Sequence, residues 1–197
     1  MSTPTIPPHA APPVASRPFP YPLDEFYTHH RLPLPTLVPL AGEQVPQPYR
    51  ALLVHARDMT PTLEAFHGVN IHIQVLRRER NDGGYFRAVV LRRDDNDRPL
   101  EFGANRIDLA RFPTEARWMI RQEKLPLGRI LQDHAIPHQT RPVTFFQILS
   151  DGLINRALEL PQSEFLYGRQ AVLADAQGHP LSEVIEILPP LRMPRLA

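Results

Sequence analysis

A chain of 197 residues is long enough for one domain with a substantial core, with or without a tail. Its 22 Lys and Arg against 21 Asp and Glu leave +1 with neutral histidines, which gives no overall field to hold nucleic acid or an anionic membrane. The lack of cysteine excludes a disulfide framework, a cysteine nucleophile, an iron–sulfur cluster and a thiolate zinc site.

The anomaly is proline, with 24 residues against 9 glycines, and thirteen of those prolines fall at or before Pro48. Proline has no backbone donor and steers the residue before it away from helix. Pro7-Pro8, Pro12-Pro13, Pro18, Pro20 and Pro22 therefore favour an extended, polyproline-like chain. Residues 1 to about 22 read as disordered, and 23–48 as an extended segment draped over a domain that runs from 49 to 192, followed by a short tail at 193–197. Met1 to Ala15 has neither a basic start nor a continuous apolar run, which argues against a signal peptide. No apolar stretch reaches the roughly 18 residues of a membrane span. A cytoplasmic enzyme or binding domain is expected.

From Tyr49 onward the punctuation becomes regular. Thr60 as N-cap, Pro61 at the first helical position and Gly68 as a stop predict a short helix over Thr62–His67, with Leu63 and Phe66 on one face. Val69 to Leu76 alternates apolar and polar residues as a half-buried strand does. Asn81-Asp82-Gly83-Gly84 predicts a hairpin turn into a strand over Tyr85–Arg92, and a second turn at Asp94–Arg98 leads to a third strand over Leu100–Ile107. Helices are predicted over Pro113–Gln122, with Ala116, Met119 and Ile120 on one face, and over Arg129–Gln132 after the break at Pro126-Leu127-Gly128. A strand over Val143–Leu149, a helix over Asp151–Leu160 and a closing hairpin of Glu164–Ala174 and Leu181–Leu188 complete the pattern. The fold class is α+β, with short helices around a single antiparallel sheet.

Neither GxGxxG, a P-loop, GxSxG nor HExxH occurs, so dinucleotide binding, phosphate-loop, serine-hydrolase and zincin chemistry are disfavoured. His134 and His138 have a helical metal-ligand spacing, but Pro137 between them disfavours the helix, and two surface loop histidines are the plainer reading. His29-His30 is weaker still. Arg77-Arg78 and Arg92-Arg93 on neighbouring strands predict a basic edge, read as a solvated guard against aggregation in preference to a nucleic-acid surface.

Several short strings occur here in a recognisable order. Leu52-Leu53 precedes Asp58-Met59-Thr60 and Phe66, and Phe86-Arg87-Ala88-Val89-Val90-Leu91 forms a strand. Pro126-Leu127-Gly128-Arg129-Ile130-Leu131 follows a helix, and Gly178-His179-Pro180-Leu181 leads to Glu186-Ile187-Leu188-Pro189. That order, over about residues 50–190, resembles the chorismate lyase family, which converts chorismate to 4-hydroxybenzoate and pyruvate. It also resembles the wider superfamily that includes the UTRA-type effector-binding domains of bacterial transcription regulators.

The resemblance implies a cofactor-free lyase, a monomer or weak dimer, whose short helices close over a buried pocket. Its partner is then a small molecule and not a nucleic acid or membrane. Arg87 is the candidate for the ring carboxylate: it lies on a strand beside Phe86 and Val89, and a guanidinium grips a carboxylate with two parallel hydrogen bonds. An ion pair with a glutamate on a neighbouring strand is the structural alternative for it. Glu186, flanked by Ile185 and Ile187, is the candidate partner of the ring hydroxyl and proton acceptor; Glu183 takes that place only if the strand slips in register. Met59, Leu127 and Gly128 match positions that touch the ligand, and Leu127 and Gly128 also open a helix whose free N–H groups favour carboxylates. Arg106 on the third strand is the candidate for the second carboxylate, although the longer turn at Asp94–Arg98 disturbs the register with the family. A non-catalytic domain that senses a small carboxylate is the alternative function, and the proline-rich start holds no helix-turn-helix that would make it a regulator.

Overall fold

The structure, a computed structural model, describes residues 17–81 and 84–191. Its first element is a helix where the sequence predicts extended chain. α1 spans Leu23–His29 and carries Asp24 and Glu25 in its first turn, where carboxylates complement the helix dipole. Pro22 sits just outside this helix, and the stretch from Leu23 to Leu32 contains no proline, so upstream proline density does not reach it. β1 (Leu37–Leu40) adds an edge strand, a place in a sheet where the missing donor of Pro39 is tolerated. Leu23, Tyr27 and even Tyr21 are buried. The segment 23–48 is therefore built into the fold, and residues 17–22 are ordered chain. The disorder expected for 1–16 and the domain end and tail expected at 192–197 lie outside the described residues.

α2 (Tyr49–Leu53) and α3 (Met59–His67) follow. α3 starts at Met59, earlier than predicted, which puts Thr60 inside its first turn and buries it; Gly68 stops the helix in the left-handed region at φ 66°. Leu63 is fully buried but Phe66 is 49% exposed, because the inward stripe runs through Met59 and Leu63, one turn apart. β2 (Ile71–Asn81), β3 (Gly84–Arg93) and β4 (Pro99–Ile107) form the predicted antiparallel meander, the two residues at the first hairpin tip lying outside the described residues. Next come α4 (Thr114–Gln122), α5 (Leu127–Asp133), β5 (Gln139–Leu149), α6 (Gly152–Leu158), β6 (Phe165–Ala174) and β7 (Pro180–Leu188).

All seven strands join one antiparallel sheet in the order β1-β5-β6-β7-β4-β3-β2, so the closing hairpin inserts beside β4 in the middle of the sheet. Alternation of side chains then assigns the two faces. One face presents Ala88, Val90, Phe102, Ala104, Ile185 and Ile187, and α1 and α6 cover it. Tyr27 donates its hydroxyl to Asp151 Oδ2 at 2.9 Å, while Asp151 Oδ1 accepts from the Leu153 and Ile154 N–H groups and caps α6. The other face is covered by α2, α3, α4 and α5 through residues such as Leu53, Leu63, Ala116 and Ile130. The predicted basic edge does not form, because Arg78 lies opposite Arg87 and Arg92 opposite His72, at the two ends of the β2–β3 hairpin. Arg92 is buried and paired with Glu159 at 2.8 Å. No helix among the described residues is long and apolar enough to cross a membrane.

Gly168 of β6 is closely packed: an added Cβ would stand 2.5 Å from both the Glu186 carbonyl oxygen and Phe146 Cζ. Gly168→Ala should therefore lower stability by about 1–3 kcal/mol in urea denaturation. An unchanged unfolding midpoint would contradict this packing of β5, β6 and β7.

Candidate ligand-binding site

The strand register lines up three rows of side chains on the face beneath α3 and α5. Arg87, Asn105 and Val184 share one row; Val89, Gly103, Glu186 and Arg169 share the next; Leu91 and Glu101 share the third. Gly103 has no side chain, so the middle row dips. A Cβ there would meet Val89 Cγ2 at 3.1 Å and both Asn105 Nδ2 and Glu101 Oε1 at 3.2 Å. Above the dip, Met59 and Thr60 of α3 and Pro126, Leu127 and Gly128 at the start of α5 form a roof. Floor and roof bound a narrow hollow, open in part to solvent, that these side chains line. The two roof helices are held together: Gly128 packs against Thr60, and Arg129 Nη2 reaches Glu64 Oε1 at 2.6 Å.

Arg87 is 2% exposed, and its Nε and Nη1 have no hydrogen-bond partner among the described residues. The ion pair with a glutamate considered as its structural alternative is not formed among the described residues. Glu123, the nearby carboxylate that supports its charge, accepts from the Tyr85 hydroxyl on one oxygen and from Arg78 Nη1, 2.7 Å away, on the other. Burial pushes the Arg87 guanidinium below its ordinary pKa. A buried cation without an anion is costly, and its donors are the strongest polar feature of the hollow.

Glu186 also lines the hollow, but it is not free. Arg169, fully buried, donates Nε to Glu186 Oε2 at 2.5 Å, Nη1 to the carbonyl oxygens of Leu53 (3.3 Å) and His55 (3.0 Å), and Nη2 to the Arg57 carbonyl at 3.0 Å. Arg169 thus fastens the loop between α2 and α3 to the sheet. Burial and the positive charges of Arg169 and Arg57 push the His55 imidazole down to about 4, which leaves it neutral. Glu101 lies diagonally across Gly103 from Glu186. It is 4% exposed, and its Oε2 has no partner. Burial, reinforced by the Glu186 charge and opposed by Arg169, raises its carboxyl well above the usual range.

At the rim, Asp58 accepts from His138 Nε2 at 2.8 Å and from the Thr140 hydroxyl, tying the start of α3 to the chain entering β5. Burial pushes Asp58 up, but these hydrogen bonds outweigh it and hold the carboxyl below its ordinary value, while the bond to Asp58 raises His138. His138 is thus a half-buried tether, not a loose surface residue, and no group of three or more potential metal ligands occurs among the described residues.

Of the residues singled out in the sequence, Met59, Arg87, Leu127, Gly128 and Glu186 line this one hollow. Arg106 does not. It is one residue out of phase with Asn105, so its side chain falls on the opposite face, where Nη1 lies 3.9 Å from Glu183 Oε2. Glu183 shares that opposite face and is buried there, accepting from the Arg17 N–H at 3.1 Å. Sequence reasoning missed Glu101, Gly103, Asn105 and Arg169. The available signals were Glu101 between Leu100 and Phe102, and Arg169-Gln170 ahead of the apolar run Ala171-Val172-Leu173.

No family model matches the chain, and no curated protein matches it. Among solved structures, the C-terminal domain of histidine utilization repressor from Pseudomonas syringae pv. tomato str. DC3000 is similar at 11% identity and a TM-score of 0.43, covering 65% of this chain and 99% of that one.

Because two of its buried donors are unpartnered and Glu123, the carboxylate near it, is already bonded to Tyr85 and Arg78, Arg87 should weaken the empty protein. Arg87→Met is expected to raise the stability of the ligand-free protein by about 1–3 kcal/mol in thermal or urea unfolding. A loss of stability would mean that the guanidinium already has an anionic partner.

Proposed function

We propose that this protein is a chorismate pyruvate-lyase that eliminates pyruvate from chorismate and leaves 4-hydroxybenzoate, without a cofactor. The observation that carries this reading is Arg87, buried and with two unpartnered donors, in a hollow that also contains carboxyl groups on the neighbouring strands. The order of sequence strings that resembles the chorismate lyase family supports the same reading, since Met59, Arg87, Leu127 and Glu186 all border the hollow.

The chemistry asks little of the protein beyond binding and orientation. The C4–H bond breaks and its electron pair forms the C3–C4 double bond that makes the ring aromatic. The C3–O bond breaks and its pair goes to the enolpyruvyl oxygen. The released enolate is protonated on its methylene carbon, which gives pyruvate and balances the proton lost from C4. In this reading Arg87 takes the ring carboxylate in a bidentate grip, the ring lies over Val89 and Gly103, and the carboxyl end of the hollow faces C4. Burial beneath α3 and α5 excludes water, which strengthens these contacts and holds the reacting conformer.

A second reading has one observation in its favour. The 2.5 Å contact from Arg169 occupies the carboxylate that would accept the C4 proton, which suits a domain that binds a small carboxylate without turning it over. Incubation with chorismate separates the two: the lyase reading expects 4-hydroxybenzoate and pyruvate in equal amounts. Arg87→Ala is expected to lower kcat/KM on the order of 30-fold to several thousand-fold, equivalent to roughly 2–5 kcal/mol. Tight binding of 4-hydroxybenzoate with no product at high protein concentration would overturn the lyase and favour the binder.

A further inference from the structure

We propose that Glu101, and not Glu186, contacts the oxygen that a bound ring carries opposite its carboxylate, so that the hollow selects cyclic carboxylates bearing a hydroxyl or ether oxygen at that end. This rests on the reading of the hollow as a site for a cyclic carboxylate. Arg87 and Glu101 rise from the same face of adjacent strands and both line the hollow. Arg87 lies opposite Asn105, four residues from Glu101, so the two rows stand roughly 13 Å apart along the strands, and side chains reaching inward bracket a space about one ring long. Between them lie Val89 and Gly103, with the Asn105 amide and the Glu101 carboxyl reaching over Gly103 from either side.

Charge and partners separate the two glutamates. Glu186 Oε2 accepts from Arg169 Nε, while Arg169 Nη1 and Nη2 donate to the carbonyl groups of Leu53, His55 and Arg57. Glu101 Oε2 is buried and unpartnered. The charged groups around Glu101 are Glu186 from β7, Arg169 from β6 and Arg87 from β3; the roof residues of α3 and α5 are not ionisable. Burial and the Glu186 charge shift Glu101 toward its neutral form, and a neutral carboxylic acid both donates to and accepts from a ligand oxygen. A carboxylate in the same place would repel an anionic ligand.

Calorimetric binding of 4-hydroxybenzoate and benzoate tests the assignment without requiring turnover. The unaltered protein is expected to prefer 4-hydroxybenzoate by about tenfold, the equivalent of one good buried hydrogen bond. Glu101→Met removes that preference by weakening 4-hydroxybenzoate alone, and Glu101→Gln, which keeps both a donor and an acceptor, retains it. A preference that survives Glu101→Met, or that vanishes in Glu101→Gln while benzoate still binds, overturns the assignment and leaves the carboxylate site standing. Failure of both ligands to bind the unaltered protein overturns the assignment together with the function it rests on.

Discussion

Arg87 brings a guanidinium into a buried position between the sheet and two helices, and two of its donors find no partner there. Removing a charge from water without compensation costs several kcal/mol, more than most single interactions return. A chain that tolerates this must recover the cost elsewhere, and it does so through packing. The far face of the sheet is closed by α1 and α6 around Phe102, Phe146 and Ile185, and the near face is filled on both sides of the hollow. The hollow is an interruption in an otherwise continuous core.

The charges around that interruption leave a definite remainder. Arg169 is paired with Glu186, and burial pushes Glu101 toward its neutral form, so Arg87 is the cation of the hollow with unpartnered donors. One such cation suits a monocarboxylate. In the lyase reading it suits the aromatic product better than the dianionic substrate, and with α3 and α5 fastened by Arg129–Glu64 it argues for slow release of that product. The same arrangement suits a sensor of small aromatic acids, which is why catalysis has to be measured as turnover.

Much of the fold was legible in the sequence because the turns announce themselves. Gly68, the Asn81–Gly84 tip and the Asp94–Arg98 turn bracket strands whose alternation is clear, and Asp151 marks the start of α6. The helix within 23–48 was not legible because proline density was high on either side of it, whereas Leu23 to Leu32 is free of proline and carries an amphipathic turn closed by Tyr27 and Asp151. The site was partly legible, since a charged residue inside a strand such as Phe86-Arg87-Ala88-Val89 or Ile185-Glu186-Ile187 stands out against apolar neighbours. The remainder depended on which strands are adjacent and in what phase. The β3–β4 register sends Arg106 to the other face, and only the β4–β7 pairing sets Gly103 beside Glu186 and makes Glu101 the neighbour of a second carboxylate. Arg169 could not be recognised as the partner of Glu186 before β6 was known to lie against β7 in that register.

The central claim is that the Arg87 guanidinium is the anchor for a ligand carboxylate. A crystal structure of the protein grown with 4-hydroxybenzoate tests it most directly. The account predicts the ligand beneath α3 and α5, its carboxylate within hydrogen-bond distance of Arg87 Nε and Nη1 and its ring over Gly103. A ligand bound elsewhere, or a hollow in which Arg87 has turned to a protein carboxylate and closed the space, would contradict it.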